Sequence, residues 1–232
     1  MKRAPNFKFS NEVILVPFFT VLLLWIIYWF EFKFGFDFTK YGIYPRSLSG
    51  LRGVILSPFI HSSVKHLYNN SFPTLILMSA LLYFYRTISL KVLVVGWLLS
   101  GLLTWIMARE AYHIGISGMI YLLSSFIFFK GIFTKYYRLI AVSLIVVFIY
   151  GSLVWYLFPV DDRISWEGHL SGFLVGFVLA LLFRNKVEIK EAANEESLFY
   201  EKDDPFLKHF DEDGNFIPTS ELEKLDQEEE LE

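Results

Sequence analysis

Six apolar runs alternate with polar segments along the chain and predict an all-helical protein. The runs are residues 13–30, 66–85, 92–107, 116–129, 139–158 and 169–183. The first, second and fifth runs approach the ~20 residues that a helix needs to cross the hydrocarbon core of a bilayer. The other three are shorter, which is tolerated where a helix is surrounded by protein or borders a water-filled cavity. We therefore predict a polytopic bundle of six transmembrane helices with a short central fourth helix.

The composition agrees with a membrane protein. Of 232 residues, 54% are hydrophobic and 19% are aromatic, which is more apolar than a typical soluble domain. The chain has no cysteine, so disulfides and thiolate chemistry are excluded. The first run is too long for the core of a signal peptide and has no obvious small-residue cleavage site, so we expect it to remain as a span.

The net charge of −3 combines two opposed parts. Residues 186–232 hold seventeen acids and five bases, whereas the preceding residues carry an excess of nine bases. This division predicts a cytoplasmic N-terminus at 1–11, a membrane domain at 12–185 and an acidic cytoplasmic tail at 186–232. The tail is expected to be disordered or partly helical, and a cytoplasmic partner could dock on it. No basic block with interleaved aromatics suggests binding to nucleic acid.

The lysines and arginines predict the orientation of the bundle. Eleven of them lie in four segments that a six-span arrangement places on one side: Lys2, Arg3, Lys8, Arg86, Lys91, Lys130, Lys135, Arg138, Arg184, Lys186 and Lys190. Bases on the opposite side are sparser and accompanied by acids. By the positive-inside rule both termini are cytoplasmic, in the plasma or inner membrane, and residue 117 faces the extracytoplasmic side.

A serine between two glycines stands where a polar loop enters the fourth run. Gly115 and Gly118 allow another backbone to approach Ser117, and the new helix directs unpaired N–H groups and its positive dipole at that position. Tyr121 lies one turn later on the same helical face. These features suit a nucleophile, although small residues in a membrane helix also serve for packing.

Two further polar clusters open the second and sixth runs. His66 and Asn70 share one helical face, and His169, Gly172 and Gly176 form one stripe that would let a neighbouring helix approach closely. In the predicted orientation both clusters lie at the same depth as Ser117. Polar groups at membrane depth are expensive and therefore functional candidates. Together they could supply a nucleophile, a base and oxyanion donors.

Histidines in helices also have ordinary packing roles, which we expect for His61 and His113. A metal site built from His61, His66 and His169 is conceivable, since imidazole is a common metal ligand. No Cys, Asp or Glu joins these histidines at helical spacing, however, so neither a metal nor another cofactor is expected.

The motifs in this order resemble the rhomboid family of intramembrane serine proteases. The resemblance rests on G-I-S-G at 115–118, H-L-Y-N-N at 66–70, H-L-S-G at 169–172 and F-I-H at 59–61, and it extends over residues 10–185. It implies that Ser117 is the nucleophile and that His169 is its general base and later the acid that protonates the leaving amine.

The resemblance also implies the roles of the surrounding groups. Asn70, His66 and the backbone N–H of Ser117 would form the oxyanion hole, while Tyr121 would stack on the imidazole. Gly172 and Gly176 would pack the sixth span on the fourth. Residues 31–60 would form a lateral insertion, with Arg52 as its basic residue, and residues 159–165 would cap the site.

The implied substrates are transmembrane segments of other membrane proteins, cut near their extracytoplasmic ends. A helix protects its amide bonds, so such substrates should carry helix-weakening residues there. The alternative is an inactive relative that binds transmembrane helices and controls their trafficking or degradation, but such relatives typically lack the Ser or the His. A transporter would require broken helices and charged groups at the midplane, which the sequence does not show.

Overall fold

The computed structural model describes residues 9–161, 164–184, 209–210 and 214–221. Within these residues the chain is helical and contains no β-strand, only isolated bridges such as the one between Ile43 and His113. Residues 7–188 form one compact unit, and residues 1–6 with 189–232 form a second. In the second unit, Phe210 and Phe216 pair in an isolated bridge, and the imidazole of His209 stacks on the ring of Phe216. Most of the predicted acidic tail lies outside the described residues.

Seven α-helices make up the described part of the first unit. They are α1 (Glu12–Phe34), α2 (Gly53–Leu56), α3 (Val64–Phe84), α4 (Arg86–Met107), α5 (Ser117–Thr134), α6 (Tyr137–Tyr150) and α7 (Trp166–Leu182). Short 3₁₀ segments occupy Thr39–Tyr41, Ser49–Arg52, Ser57–Phe59 and Gly151–Leu157. Among the described residues, α1, α4 and α5 are long and apolar enough to cross a membrane, and α6 and α7 are apolar but shorter. The described part of the chain is thus all-helical, its apolar helices point to a membrane protein, and the six-span count stays a prediction.

Several predicted helix boundaries differ in the structure. The first run continues to Phe34 rather than residue 30, and the third begins at Arg86 rather than residue 92, so Arg86 and Lys91 lie in α4 and not in a turn. The run at 139–158 is not one helix, because α6 ends at Tyr150 and the chain then winds as a 3₁₀ helix from Gly151 to Leu157. Glycine is a weak helix former, and the tighter winding accompanies a hydrogen bond from His169 to the carbonyl of Tyr156. The fourth run continues beyond residue 129 and ends at Thr134, where Lys135 adopts a left-handed conformation.

Helix α5 lies at the centre of the bundle and contacts α3, α4, α6 and α7, most extensively α7. The α5–α7 contact depends on glycine. A Cβ atom on Gly172 would lie 2.0 Å from the carbonyl oxygen of Gly118, and one on Gly176 would lie 2.3 Å from that of Leu122. The two backbones are therefore in direct contact. This packing holds α7 against α5 at Gly172 and Gly176.

Lys130 occupies the far end of the α5–α7 pair rather than a loop. Its side chain is completely buried, and its ammonium group donates to the carbonyl oxygens of Phe183 and Arg184. These carbonyls follow the last residues of α7, where a helix leaves oxygens without intrahelical partners. Lys130 therefore caps the C-terminus of α7, and its positive charge interacts favourably with the negative end of the helix dipole.

Candidate active site

The position of Ser117 is set by the turn that precedes α5. Gly115 adopts a φ of +103°, and a Cβ atom there would lie 2.9 Å from two ring atoms of His66. Its N–H donates to the carbonyl of Ser57 at 2.8 Å. Only glycine combines this backbone conformation with so close an approach, and the turn leaves Ser117 as the first residue of the helix.

His169 lies in the first turn of α7, with its Nε2 atom 2.9 Å from Oγ of Ser117. Its Nδ1 atom is 3.0 Å from the carbonyl oxygen of Tyr156. A carbonyl oxygen can only accept, so Nδ1 carries the proton and donates it to Tyr156. Nε2 is then unprotonated and accepts the hydroxyl proton of Ser117, which is the tautomer that a general base requires.

Tyr121 supports the imidazole from its face. The rings of Tyr121 and His169 stack with centroids 4.2 Å apart and planes inclined by 14°. Both side chains are buried. The hydrogen bond to Tyr156 fixes the edge of the ring, and Tyr121 fixes its plane, so the orientation of His169 is determined without an acidic partner.

Two polar side chains of α3 face the turn at Gly115. The Nδ2 atom of Asn70 lies 3.6 Å from the position that a Cβ of Gly115 would occupy, close to the ring of His66. Asn70 is buried, and its Nδ2 has no hydrogen-bond partner in the part of the chain that is described. His66 pairs through Nδ1 with the hydroxyl of Ser62 at 3.2 Å. A buried amide donor without a partner, close to the turn that precedes Ser117, is the kind of group that can stabilise an oxyanion.

The remaining predicted histidines have other surroundings. His61 is buried with its ring edge against His66, 5.0 Å between centroids. Burial, together with the neighbouring His66, lowers the pKa of His61 to about 4. His113 belongs to the α4–α5 loop, where its buried ring lies within hydrogen-bonding distance of the carbonyl of Arg109 and the hydroxyl of Ser165, just before α7. In the described ranges no group of three or more His, Cys, Asp or Glu side chains could hold a metal ion.

A cavity of about 40 Å³ lies beside Ser117. Polar residues of four segments contribute to its lining, among them Ser57, Ser100, Thr104 and Ser165. This volume accommodates at least one water molecule, and the hydroxyl groups of the lining can form hydrogen bonds with that water. The site could therefore admit the water that an acyl-enzyme needs for hydrolysis.

Sequence reasoning missed three contributors to this site. The carbonyl of Tyr156 orients His169, and any residue could supply it, so no side-chain pattern reveals it. Arg109 and Glu167 form an ion pair at 3.2 Å next to the dyad. They are 58 residues apart in the sequence, so no local pattern predicts that they pair. The one available signal was Glu167 itself, an acid two residues before His169 in an otherwise apolar region.

Comparison with known proteins identifies relatives of this chain. The model of the Rhomboid domain family matches residues 49–186, more than half of the chain. An uncharacterized protein of Mycobacterium tuberculosis is 32% identical over 173 residues, which cover 70% of this chain and 71% of that protein. An uncharacterized protein of Mycobacterium leprae is 31% identical over 160 residues, or 62% of each chain.

Proposed function

The chain belongs to the rhomboid family, and we propose that it is an intramembrane serine endopeptidase that uses Ser117 and His169. The observation that supports this proposal most directly is the 2.9 Å contact between Oγ of Ser117 and Nε2 of His169. The hydrogen bond from Nδ1 to Tyr156 leaves that Nε2 atom free to accept a proton. In the first step, Ser117 attacks the substrate carbonyl while its proton moves to His169.

The charges that develop have partners in the site. Negative charge on the former carbonyl oxygen would be stabilised by the Nδ2 group of Asn70, by His66 and by the N–H of Ser117. The imidazolium retains its hydrogen bond to Tyr156 and its contact with Tyr121. His169 then protonates the leaving amine, and water hydrolyses the acyl-enzyme with His169 again as the base.

The substrates of this proposal are transmembrane segments of other membrane proteins. An intact helix hides its amide bonds, so the segment must unwind near the site, and residues with low helix propensity favour this step. Six spans with both termini cytoplasmic would place Ser117 near the extracytoplasmic surface of the plasma or inner membrane. The proposed cut is therefore near the extracytoplasmic end of the substrate span.

Labelling with a fluorophosphonate probe tests the nucleophile in detergent-solubilised full-length protein. The native protein should be labelled at Ser117, and Ser117→Ala should lose both labelling and cleavage of a transmembrane substrate. His169→Ala should reduce labelling at least a hundredfold. The matched control is Ser79→Ala, since this hydroxyl bonds to the backbone of Val13, away from the dyad.

The result of this experiment distinguishes an active protease from an inactive relative that only binds transmembrane helices. Equal labelling and cleavage in the native and Ser117→Ala proteins would contradict the assignment of the nucleophile. Binding of a transmembrane segment without labelling or turnover would instead support the inactive relative.

A further inference from the structure

A second polar cluster joins the loop before Ser117 to the first turn of α7. The guanidinium group of Arg109 lies 3.2 and 3.3 Å from the two carboxylate oxygens of Glu167 and also donates to the carbonyl of Ile164 at 3.0 Å. The backbone N–H of Arg109 donates to the same carboxylate at 3.3 Å. The side chain of Glu167 is only 3% exposed, whereas that of Arg109 is 36% exposed. Glu167 is therefore a buried carboxylate whose charge is balanced by one arginine from another segment.

His113 makes a parallel connection between the same two segments. Its Nε2 atom is 3.0 Å from the carbonyl of Arg109, which can only accept, so Nε2 carries the proton. Its Nδ1 atom then accepts the hydroxyl proton of Ser165 at 2.6 Å. The oxygen of Ser165 in turn accepts the N–H of Gly168 at 3.3 Å and so caps the N-terminus of α7.

The loop that carries Arg109 and His113 is itself fixed to the bundle. The backbone of His113 exchanges hydrogen bonds of 2.8 and 3.0 Å with Ile43, and Gly115 donates to Ser57. The loop is therefore held in place, and its hydrogen bonds to Glu167 and Ser165 anchor the first turn of α7.

The position of this cluster matters because the dyad joins the first turns of two helices. The tightest glycine contacts between α5 and α7 are at Gly172 and Gly176, and the first turn of α7 meets Gly118 more loosely, through the carbonyl oxygen of Gly168. Helix ends fray when they are not held. His169 follows Glu167 by two residues and lies in the same turn. A displacement of ~1 Å between reacting groups can lower a rate about a hundredfold.

We propose that Arg109 and Glu167 are positioning residues, which hold the first turn of α7 so that His169 stays within hydrogen-bonding distance of Ser117. The inference rests on the proposed function and adds a requirement to it. The acidic group does not touch the dyad; it acts through the backbone that bears His169. The Nη1 group of Arg109 contacts both carboxylate oxygens while Nη2 donates to the carbonyl of Ile164. These simultaneous contacts need the planar fork of arginine, which lysine does not provide.

Kinetics of Arg109→Met, Arg109→Lys and Glu167→Gln in reconstituted full-length protein test this role. The value of kcat is calculated per active site, and the number of active sites is taken from the end point of labelling with a fluorophosphonate probe. Misfolded protein, which is not labelled, is thereby excluded. We expect kcat per site to fall at least tenfold in Arg109→Met and Glu167→Gln, with KM within about threefold of native. Arg109→Lys, which keeps the charge, should retain an intermediate kcat. The double variant should be no slower than the slower single variant, because one contact is lost in all three.

Glu110→Gln is the matched control. Glu110 neighbours Arg109, but its side chain is 73% exposed and lies 3.7 Å from Arg46, so its kcat and KM should equal those of the native protein. If kcat per labelled site stays within about twofold of native in Arg109→Met, the pair only stabilises the fold and the inference is wrong. Arg109→Met leaves the buried carboxylate of Glu167 without its arginine, which lowers stability. The double variant carries neither charge, and kcat per labelled site separates the rate from the amount of folded protein.

The two proposals fail in different ways. Absence of labelling at Ser117 in the native protein would contradict the proposed function itself. Native labelling and turnover, with unchanged kcat in the Arg109 variants, would contradict the positioning role alone.

Discussion

At the scale of single residues, the proton on His169 is the most informative feature of the site. A carboxylate partner would add a charge that stabilises the imidazolium, whereas the carbonyl of Tyr156 supplies only a neutral acceptor. Among the described residues the nearby acid, Glu167, is engaged by Arg109. The ring is oriented by geometry, through Tyr156 at its edge and Tyr121 on its face, rather than by a third charged group.

Asn70 gives a prediction about oxyanion stabilisation. Its buried amide has no partner for Nδ2 in the described part of the chain, so the group is available for a charge that develops during the reaction. Asn70→Ala should lower kcat roughly a hundredfold yet retain labelling at Ser117, because the other donors persist. Turnover of a transmembrane substrate per labelled site is the measurement.

The adjacent Asn69 provides the control for this substitution. It is exposed on the same helix, and Asn69→Ala should keep native kcat. A native kcat in Asn70→Ala would show that its amide takes no part in stabilising the oxyanion.

His61 gives a prediction about pH. The pKa of its imidazole is lowered from 6.5 to about 4, chiefly by burial. Between these values the unfolded chain binds a proton that the folded protein does not, so the free energy of unfolding decreases as the pH falls from about 6.5 towards 4. His113, whose pKa burial also lowers, adds to this loss.

Unfolding of the native protein and His61→Gln at several pH values from 7.5 to 4.5 measures this effect. The variant should show a shallower decline of the unfolding midpoint with acidification, whatever its midpoint at neutral pH. Parallel curves for the two proteins would contradict the assignment to His61.

At the scale of helices, the sequence predicted which residues lie at a helix contact better than it predicted where an α-helix gives way to a 3₁₀ helix. The glycine spacing at 172 and 176 predicted a close helix contact, and the structure brings both residues against the backbone of α5. Apolar composition could not reveal that α6 stops at Tyr150, since the chain is again apolar up to Phe158 after Gly151 and Ser152. The 3₁₀ segment that follows carries the carbonyl of Tyr156, which accepts a hydrogen bond from His169, and only the folded chain brings these two residues together.

The glycines of α7 give a prediction about stability. Gly172→Ala and Gly176→Ala would place a methyl group within 2.0 and 2.3 Å of backbone oxygens on α5, so the helices must separate. Both variants should lower the thermal unfolding midpoint and reduce labelling of Ser117, because the dyad spans the same helix pair. Overpacking of a tight contact typically costs about 1–3 kcal/mol.

Gly151→Ala serves as the control for these substitutions. A Cβ there would meet its nearest atom at 3.6 Å, on Val147, and the backbone is right-handed. Its unfolding midpoint should be unchanged or slightly raised. A similar loss in all three variants would show that close backbone contact is not the cause.

At the scale of the whole molecule, the sequence predicted the family and the helical architecture, and the Rhomboid domain match confirms the family. Ser117 and His169 are 52 residues apart, and their meeting was inferred from their common predicted depth, the glycine stripe of the sixth run and the resemblance to a family. The link between Arg109 and Glu167 could not be inferred in that way. Exposed apolar side chains on the outer helices, such as Phe18 and Phe148, agree with a surface that faces lipid.

The orientation of the bundle is the last prediction. The chain has no cysteine, so a single introduced cysteine is a unique label. Glu110 and Arg138 are exposed and lie at opposite ends of α5 along the chain. If lysines and arginines mark the cytoplasmic side, Glu110→Cys should react with a membrane-impermeant maleimide in intact cells, and Arg138→Cys only after permeabilisation. The reverse pattern would place Ser117 near the cytoplasm, and the proposed cut would then lie at the cytoplasmic end of substrate spans.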